Sequence, residues 1–521
     1  MSKRAPFLYL TVLVIATAGL VYELLSGAIA TTVLGNSLRQ YSITIGVYLC
    51  AMGLGAYLSR FIDRRVCERF VDLQFATGVI GGSQGLLLFL AYGHAEAFAL
   101  YLYGSLLVVG TLVGLEIPLL MRILREDLEF KDLVAKVLTF DYLGSLLGSL
   151  LFSIVLVEYL MVPLERIGLI FGLTNCAAGL FSIVVLADQI HPRRRLALRV
   201  RGALSAGILA SAVLFSGQLR VIGEQGFYGQ RVILAQHSAH QRIVLTSDGR
   251  TLQMFLDGNL QWTSLDEYRY HEALVHPAMA LGLEPPVHAH RNASVSSTSR
   301  HRLRVLVLGG GDGLAVRELI RYERIEHIDL VDLDPAVTRM AQNTPSIRQL
   351  NGDAFADPRV HIHHDDALVF LDRFTQTPYD VVLADFPDPN NFSLGKLYTA
   401  HFYRLLAGAM AEDATLAVQS TSPLFARKSF WCIEHSLRAA GFYTAPYHVP
   451  VPSFGEWGYV LAKRKAFSPP NRLAVHDLRF LNDAILPSLF VFAEDIAPVA
   501  TEVNQLHHQI LVQYYSHESD Y

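Results

Sequence analysis

The chain has 521 residues, 52% of them hydrophobic and 17% charged. This length allows two or more domains, and the apolar excess is too large for an ordinary soluble protein. A net charge of −4 supplies no global positive field for nucleic acid. The four cysteines form no metal-type cluster, and only Cys432 falls in the polar half, which therefore cannot form an internal disulfide.

Most of the apolar excess precedes residue 218, in seven segments at about 6–34, 42–58, 70–92, 97–120, 134–162, 169–187 and 202–217. Several exceed the roughly 20 residues needed to cross a bilayer, so 1–218 is expected to be a multi-pass α-helical membrane domain. The first segment is too long, and lacks the small-residue cleavage pattern, for a removed signal peptide. Positive charge is partitioned between loops. Arg60, Arg64, Arg65 and Arg69 follow segment two, Arg122, Arg125, Lys131 and Lys136 follow segment four, and Arg193, Arg194, Arg195, Arg199 and Arg201 follow segment six. The alternate loops show only Arg39 and Arg166. Lys3 and Arg4 join the basic group, which puts the N-terminus in the cytoplasm. Seven full crossings would then carry the polar half outside, unless the short seventh segment lies along the membrane, which is the arrangement expected here. Glu23, Glu116 (beside Pro118) and Asp141 sit inside apolar segments. Acids at depth face a bundle interior or a cavity; they read either as hydrogen bonding between helices or as a cation path or polyamine-binding cavity. Gly78-x-x-x-Gly82 and Gly144-x-x-x-Gly148 suit close helix packing.

Residues 219–268 read as a small antiparallel β module, with strands at 241–245, 252–256 and 260–262 and a turn at Asp257-Gly258-Asn259. An amphipathic helix follows from Asp266, clustering Tyr270, His271 and Glu272. The Ser-rich insert at 288–301 is expected to be a surface loop, and its Asn292-Ala293-Ser294 fits the glycosylation acceptor pattern. The stretch RVLVLGGGDG, Arg304 to Gly313, then joins an apolar run to glycines and a helix. Glycines such as Gly309, Gly310 and Gly311 let a backbone turn sharply and approach a ligand closely. About twenty residues on, a second apolar run ends at Asp332, where an acid can grip ribose hydroxyls. Further strands are expected at 360–363, 379–384, 415–419 and 459–463, with helices between them. This alternation predicts a doubly wound parallel sheet over 269–465, whose ligands bind beyond the carboxyl ends of the strands. Asp312, Asp332, Asp366, Asp385 and Asp388 all occupy those ends. The segment 466–521 is a tail with no assigned mechanism.

No Gly-Lys-Ser/Thr follows the glycines, which excludes a P-loop. His361, His363 and His364 lack a matching Cys or Glu–His pair, so no metal is expected. Many carboxylates around a nucleoside pocket suit cationic partners, and a sulfonium cofactor and a polyamine are both positive. Asp385 could take the proton of an attacking amine.

The words HQRI, LDGNLQWTSLDEYRYHEAL, VLVLGGGDG, VDLDPAV, DDALVFL, YDVVLADFPDP, LYTAHFY and FGEWGY run in order from about 235 to 462. In them the polar half resembles the aminopropyltransferases, the spermidine synthase family, and with the apolar half it resembles that family's membrane-fused bacterial branch. The resemblance implies a small N-terminal β domain and a Rossmann-like, methyltransferase-type domain. It also implies a multi-pass protein of the bacterial inner membrane, a homodimer, and no nucleic-acid partner. The implied reaction moves an aminopropyl group from decarboxylated S-adenosylmethionine to an amine such as putrescine, leaving methylthioadenosine. By the same resemblance Asp385 is the catalytic acid and Asp388 a polyamine contact. Asp312 and His271 touch the acceptor or aminopropyl side, with Tyr270 lining the same pocket and Gln419 bordering the acceptor. Asp332 grips the ribose, Asp366 and Ala367 form the adenine site, and Gln241 lies near the nucleoside. The chain departs from the family in Asp385-Phe386-Pro387-Asp388-Pro389 followed by Asn390-Asn391-Phe392, and in Pro452 where a tyrosine commonly meets the polyamine. Glu456 is an extra acid nearby. Two other readings are methyl transfer or cofactor cleavage with intact S-adenosylmethionine, and a polyamine or cation transporter or sensor regulated by a nucleoside domain.

Overall fold

The computed structural model describes residues 4–34, 37–91, 95–125, 129–160, 162–238, 240–283 and 302–518. The chain divides into two compact units, Met1–Val232 and Ile233–Tyr521. The insert expected as a surface loop, including Asn292, lies outside the described residues.

Among the described residues, the first unit contains seven helices long and apolar enough to cross a membrane. They are α1 (Ala5–Leu34), α2 (Ser37–Leu58), α3 (Val66–Ala91), α4 (Ala95–Leu124), α5 (Phe130–Leu150), α6 (Leu164–Val185) and α7 (Pro192–Tyr228). Without a hydrophobic drive between helices in lipid, close packing depends on small residues. Both glycine pairs serve this end. A Cβ on Gly78 would fall 2.7 Å from the Gly172 carbonyl of α6, and one on Gly144 would fall 2.5 Å from the Leu13 carbonyl of α1. Outward faces carry apolar residues such as Leu100, Leu204 and Leu214, each more than half exposed.

Helix α7 differs from expectation. It is one helix of 37 residues, taking in both the arginines expected in a loop and residues 219–228, expected in the β module. Pro192 starts it at a position where proline is favoured, and no later proline interrupts it. The change of composition at 219 alters polarity without supplying a helix breaker.

A four-stranded sheet of β1 (Arg231–His237), β2 (Arg242–Ser247), β3 (Leu252–Leu256) and β4 (Asn259–Thr263) comes first in the second unit, with β2, β3 and β4 antiparallel. Asp257 and Gly258 join β3 to β4 with positive φ at both positions, the backbone that a two-residue hairpin turn requires. Helix α8 (Glu267–Gly282) leads to the larger fold. Its elements are β5 (Leu303–Gly309), α9 (Leu314–Leu319), β6 (Ile325–Asp332), α10 (Pro335–Asn343), α11 (Pro345–Leu350), β7 (Val360–His364), α12 (Ala367–Asp372) and β8 (Tyr379–Asp385). There follow α13 (Phe392–Gly395), α14 (Ala400–Ala409), β9 (Met410–Gln419), α15 (Arg427–Ala439), β10 (Tyr443–Val451), β11 (Gly455–Lys463) and, near the end, α16 (Ile510–Glu518).

The strand order is β10-β11-β9-β8-β5-β6-β7. Strands β9, β8, β5, β6 and β7 are parallel, as predicted, whereas β10 and β11 run antiparallel and correct the expectation of a wholly parallel sheet. The chain leaves β5 outward through β6 and β7, then returns to β8 on the other side of β5. That reversal opens a crevice between the carboxyl ends of β5 and β8, where Gly309 stands in register with Asp385.

The C-terminal segment is woven onto this unit. The Glu272 carboxylate accepts from the backbone N–H groups of Arg479, Phe480 and Leu481 at 2.8–2.9 Å. Glu518 accepts from the N–H groups of Lys428 and Ser429 at the start of α15, where a negative charge is favoured.

Candidate active site

A cavity of about 720 Å³ opens over the carboxyl ends of the parallel strands, a size that suits a nucleoside-sized ligand with a small partner. Its lining includes Gln241, Tyr270, His271, Gly309, Gly310, Gly311, Asp312, Asp332, Asp366, Ala367, Asp385, Asp388 and Gln419, all named from the sequence as candidate site residues. Strands β5, β6 and β8 are apolar because both their faces are buried, and each run gives way to glycine or aspartate where the sheet ends.

The glycines are required by close approach. Gly309 and Gly310 have φ of +81° and +67°, and a Cβ on Gly309 would fall 2.1 Å from the Asp385 carbonyl oxygen. Gly311 has an ordinary φ, but its Cβ would fall 2.5 Å from Asp332 Oδ2. Its N–H instead donates to that oxygen at 3.0 Å, while the Asp334 N–H donates to Asp332 Oδ1 at 2.8 Å. Burial nevertheless pushes the Asp332 carboxyl up to about 6, against those two donors.

Asp385 ends β8 and accepts a hydrogen bond from Tyr270 Oη at 2.5 Å. Burial pushes its carboxyl up to about 6, with the charge of Asp312 adding to the rise and His271 and the Tyr270 hydroxyl opposing it. Burial also raises Asp312, whose Oδ1 accepts from the Leu314 N–H at 2.9 Å and so shapes the glycine turn as well as lining the cavity. Burial works against a charged His271, yet the hydrogen bond with Glu267 and its charge hold the imidazole above its ordinary value. Glu267 is in turn gripped by both terminal nitrogens of Arg317 at 2.9 Å. The charges of Asp312 and Asp385, which His271 faces, raise its imidazole further.

At the other end, Gln419 Nε2 donates to Asp388 Oδ1 at 2.9 Å, and Tyr398 Oη orients that amide by donating to Gln419 Oε1 at 3.0 Å. The second Asp388 oxygen accepts from Tyr515 Oη at 2.7 Å. Tyr515 belongs to α16, in the tail, and its place in the site had no signal in the sequence. Gln241 Nε2 donates to Asp334 Oδ2 at 3.1 Å. Asp366 caps α12 through the Leu368 N–H at 2.9 Å, and its other oxygen meets Lys396 Nζ at 2.5 Å. Glu456, by contrast, pairs with His448 and does not line the cavity, so it is not an acid of the acceptor end. Pro452 is likewise outside the lining, and Ser453, Phe454 and Trp457 stand there instead.

Comparison with known proteins gives a consistent picture. Residues 267–471 match the family model described as the spermine/spermidine synthase domain. The chain is 41% identical over 511 residues to a polyamine aminopropyltransferase of Leptospira interrogans, covering 98% of each chain. It is 43% identical over 529 residues to polyamine aminopropyltransferase 2 of Ralstonia nicotianae, covering 99% of each. It is 35% identical over 496 residues to a polyamine aminopropyltransferase of Oceanobacillus iheyensis, covering 95% of this chain and 93% of that one. Similarity at this level, running through the apolar helices as well as the sheet, makes this chain a member of the polyamine aminopropyltransferase family.

Proposed function

We propose that the chain transfers the aminopropyl group of decarboxylated S-adenosylmethionine to an amine of the putrescine type, giving spermidine or a relative and methylthioadenosine. The observation that carries this reading is Asp385: a half-buried carboxyl pushed up to about 6, positioned by Tyr270, at the seam between the glycine turn and the acceptor end of one cavity. The amine lone pair attacks the terminal methylene carbon bonded to the sulfonium. The carbon–sulfur bond breaks with its electrons passing to sulfur, which leaves as a neutral thioether. Asp385 takes the proton that the amine nitrogen must lose.

Asp332 and the Gly309–Gly311 backbone hold the nucleoside side in this reading, with Gln241 beside them. Both Asp366 oxygens are already engaged, so Asp366 and Ala367 shape the adenine end chiefly by position. Asp312 and His271 face the aminopropyl chain, and Asp388 with Gln419 receives the distal ammonium of the acceptor. The test is to incubate purified full-length protein with labelled decarboxylated or intact S-adenosylmethionine and a panel of amines. Methylthioadenosine and an extended amine are expected only with the decarboxylated form. Absence of both products from either form removes the reading, and a methylated product replaces it.

Tyr515→Phe probes the acceptor end. Burial raises the Asp388 carboxyl, and the Tyr515 hydroxyl opposes that rise. Losing this donor favours the neutral acid, which no longer attracts an ammonium group. A hydrogen bond to a charged group is worth about 1.5–3 kcal/mol, so KM for the amine is expected to rise about tenfold, with KM for the sulfonium unchanged. Equal amine KM values in the two proteins would remove Tyr515 from the site.

We place the transfer domain on the cytoplasmic side of a bacterial cell membrane, where its nucleoside substrate is made. This placement needs the charge rule to fail at one loop, because α7 does not lie along the surface: it packs beside α3 and α6 from Gly202, next to Phe75, to Ser216, whose hydroxyl accepts from Arg166, and so follows the path of a seventh span. A fluorescent-protein fusion at the C-terminus is then expected to glow, and an alkaline phosphatase fusion to be inactive. The reverse pair of results would move the domain outside.

A further inference from the structure

The tail after residue 466 carries no motif, yet α16 brings one of its side chains into the cavity. Leu511, Tyr515 and Glu518 recur at i, i+4 and i+7, which sets them along one face of this helix. Leu511 is fully buried in the apolar core that also holds Tyr398 and Phe402. Glu518 accepts from the N–H groups of Lys428 and Ser429. Between these two anchors Tyr515 is half-buried and lines the cavity.

The Tyr515 hydroxyl donates to Asp388 Oδ2 at 2.7 Å. The groups that bear on Asp388 are Tyr515, Gln419 and Thr421, whereas those that bear on Asp385 are His271, Asp312 and Tyr270. The two sets share no member, so the carboxylates mark two separate stations of one cavity. Of the partners of Asp388, Gln419 is 2% exposed and Thr421 1%, and both belong to packed interior that leaves no room for a ligand. Tyr515 is the one partner in this set that borders open space.

An amine that pairs with Asp388 and extends beyond it therefore meets interior on one side and the Tyr515 ring on the other. A clash of this kind rejects a longer ligand whose other contacts the site would accept. We propose that the Tyr515 ring is the end stop of the acceptor pocket, admitting a diamine whose far ammonium reaches Asp388 and excluding a triamine that carries a further aminopropyl arm. The inference rests on the aminopropyl-transfer reading and names which amines that reaction takes. It gives the tail a role: spermidine formed from putrescine is not extended again.

Full-length protein in detergent micelles is assayed with decarboxylated S-adenosylmethionine and either putrescine or spermidine, and kcat/KM is taken from the extended amine measured by mass spectrometry. Wild type is expected to favour putrescine by roughly 10²-fold. Tyr515→Ala is expected to move this ratio towards spermidine by about tenfold or more. Tyr515→Leu, which keeps an apolar side chain on α16 without the ring, should move it the same way. Tyr515→Phe keeps the ring, so its ratio should stay within about threefold of wild type, although both amines bind more weakly. A loss of folded protein lowers both rates alike and leaves the ratio where it was. If Tyr515→Ala does not fold, Tyr515→Leu and the wild-type ratio decide. Wild type that extends spermidine as readily as putrescine would overturn the proposal, as would an unchanged ratio in the variants without the ring. Transfer to neither amine by wild type would overturn the transfer reading itself, and this inference with it.

Discussion

Asp385→Asn in the full-length protein is expected to lower kcat by about 10³-fold, within the range of roughly 10²–10⁴ that a positioned proton acceptor contributes, while the dissociation constant for decarboxylated S-adenosylmethionine stays within about threefold. The substitution preserves shape, and the Tyr270 hydroxyl that donates to Asp385 can donate to the amide oxygen instead. What it removes is a base. The pH profile gives a second readout with a definite sign. Burial holds the Asp385 carboxyl at about 6, so below that pH it carries the proton it must accept, and activity falls about tenfold per unit. Above it, the ionised form dominates and this limb levels off. Because the Tyr270 hydroxyl works against the rise, Tyr270→Phe should move the limb to higher pH. In Asp385→Asn the limb should vanish. Stopped assays of methylthioadenosine between pH 5 and 9 would check all three proteins. Turnover in Asp385→Asn within tenfold of wild type would give the proton to another group.

Why Asp385 could be singled out in advance, and other members of the site could not, follows from where the information lies. A parallel strand buried on both faces is a continuous apolar run, and its carboxyl end is where the run stops. Asp332 and Asp385 were therefore legible as strand-end acids, and the turn at Gly309–Gly311 as a close approach. That Gly309 lies beside Asp385 needs the strand order, which places β8 against β5 although β6 and β7 intervene in sequence. Strand β10 was not foreseen because Pro446 and Pro450 interrupt its pattern; prolines are tolerated here because β10 is an edge strand. Without β10, Glu456 read as a free acid beside the acceptor, when its partner His448 lies across the β10–β11 pair. Asp366 carried a readable local signal, an acid directly ahead of the apolar helix Ala367–Asp372, which marks an N-cap. Its bond to Lys396 did not, since thirty residues separate the two. Tyr515 was the least accessible of all: it reaches Asp388 across 127 residues, and only the docking of α16 brings it there.

The glycine turn supports a prediction in which two neighbouring substitutions give different outcomes. Gly309→Ala is expected to destabilise the second unit by about 3 kcal/mol, combining roughly 1–2 kcal/mol for a side chain at φ of +81° with the cost of forcing a packed contact apart. The contact is with backbone, the Asp385 carbonyl oxygen at 2.1 Å, so no rotamer change can relieve it. Strand β8 must move from β5, and the Asp385 carboxyl, the proposed proton acceptor, moves with it. Gly311→Ala meets side chains only, Asp332 at 2.5 Å from Oδ2 and Thr338 at 3.3 Å from Cγ2, with an ordinary φ. The Asp332 side chain can turn away, but this gives up the N–H donors of Gly311 and Asp334, so stability should fall by about 1–2 kcal/mol, less than for Gly309→Ala. The displaced carboxyl then no longer faces the ribose, and affinity for the nucleoside should fall by about 10²-fold, as for a lost charge-assisted pair of hydrogen bonds. All three tryptophans, Trp262, Trp431 and Trp457, belong to the second unit, so urea unfolding of the intact protein in detergent, followed by tryptophan fluorescence, reports on that unit alone. Gly309→Ala should lower the midpoint by roughly 1 M or more, and Gly311→Ala by about half as much or less. If both variants lost stability equally, the crowding at Gly311 would be backbone strain after all, and the assignment of Asp332 to the ribose would lose its geometric support.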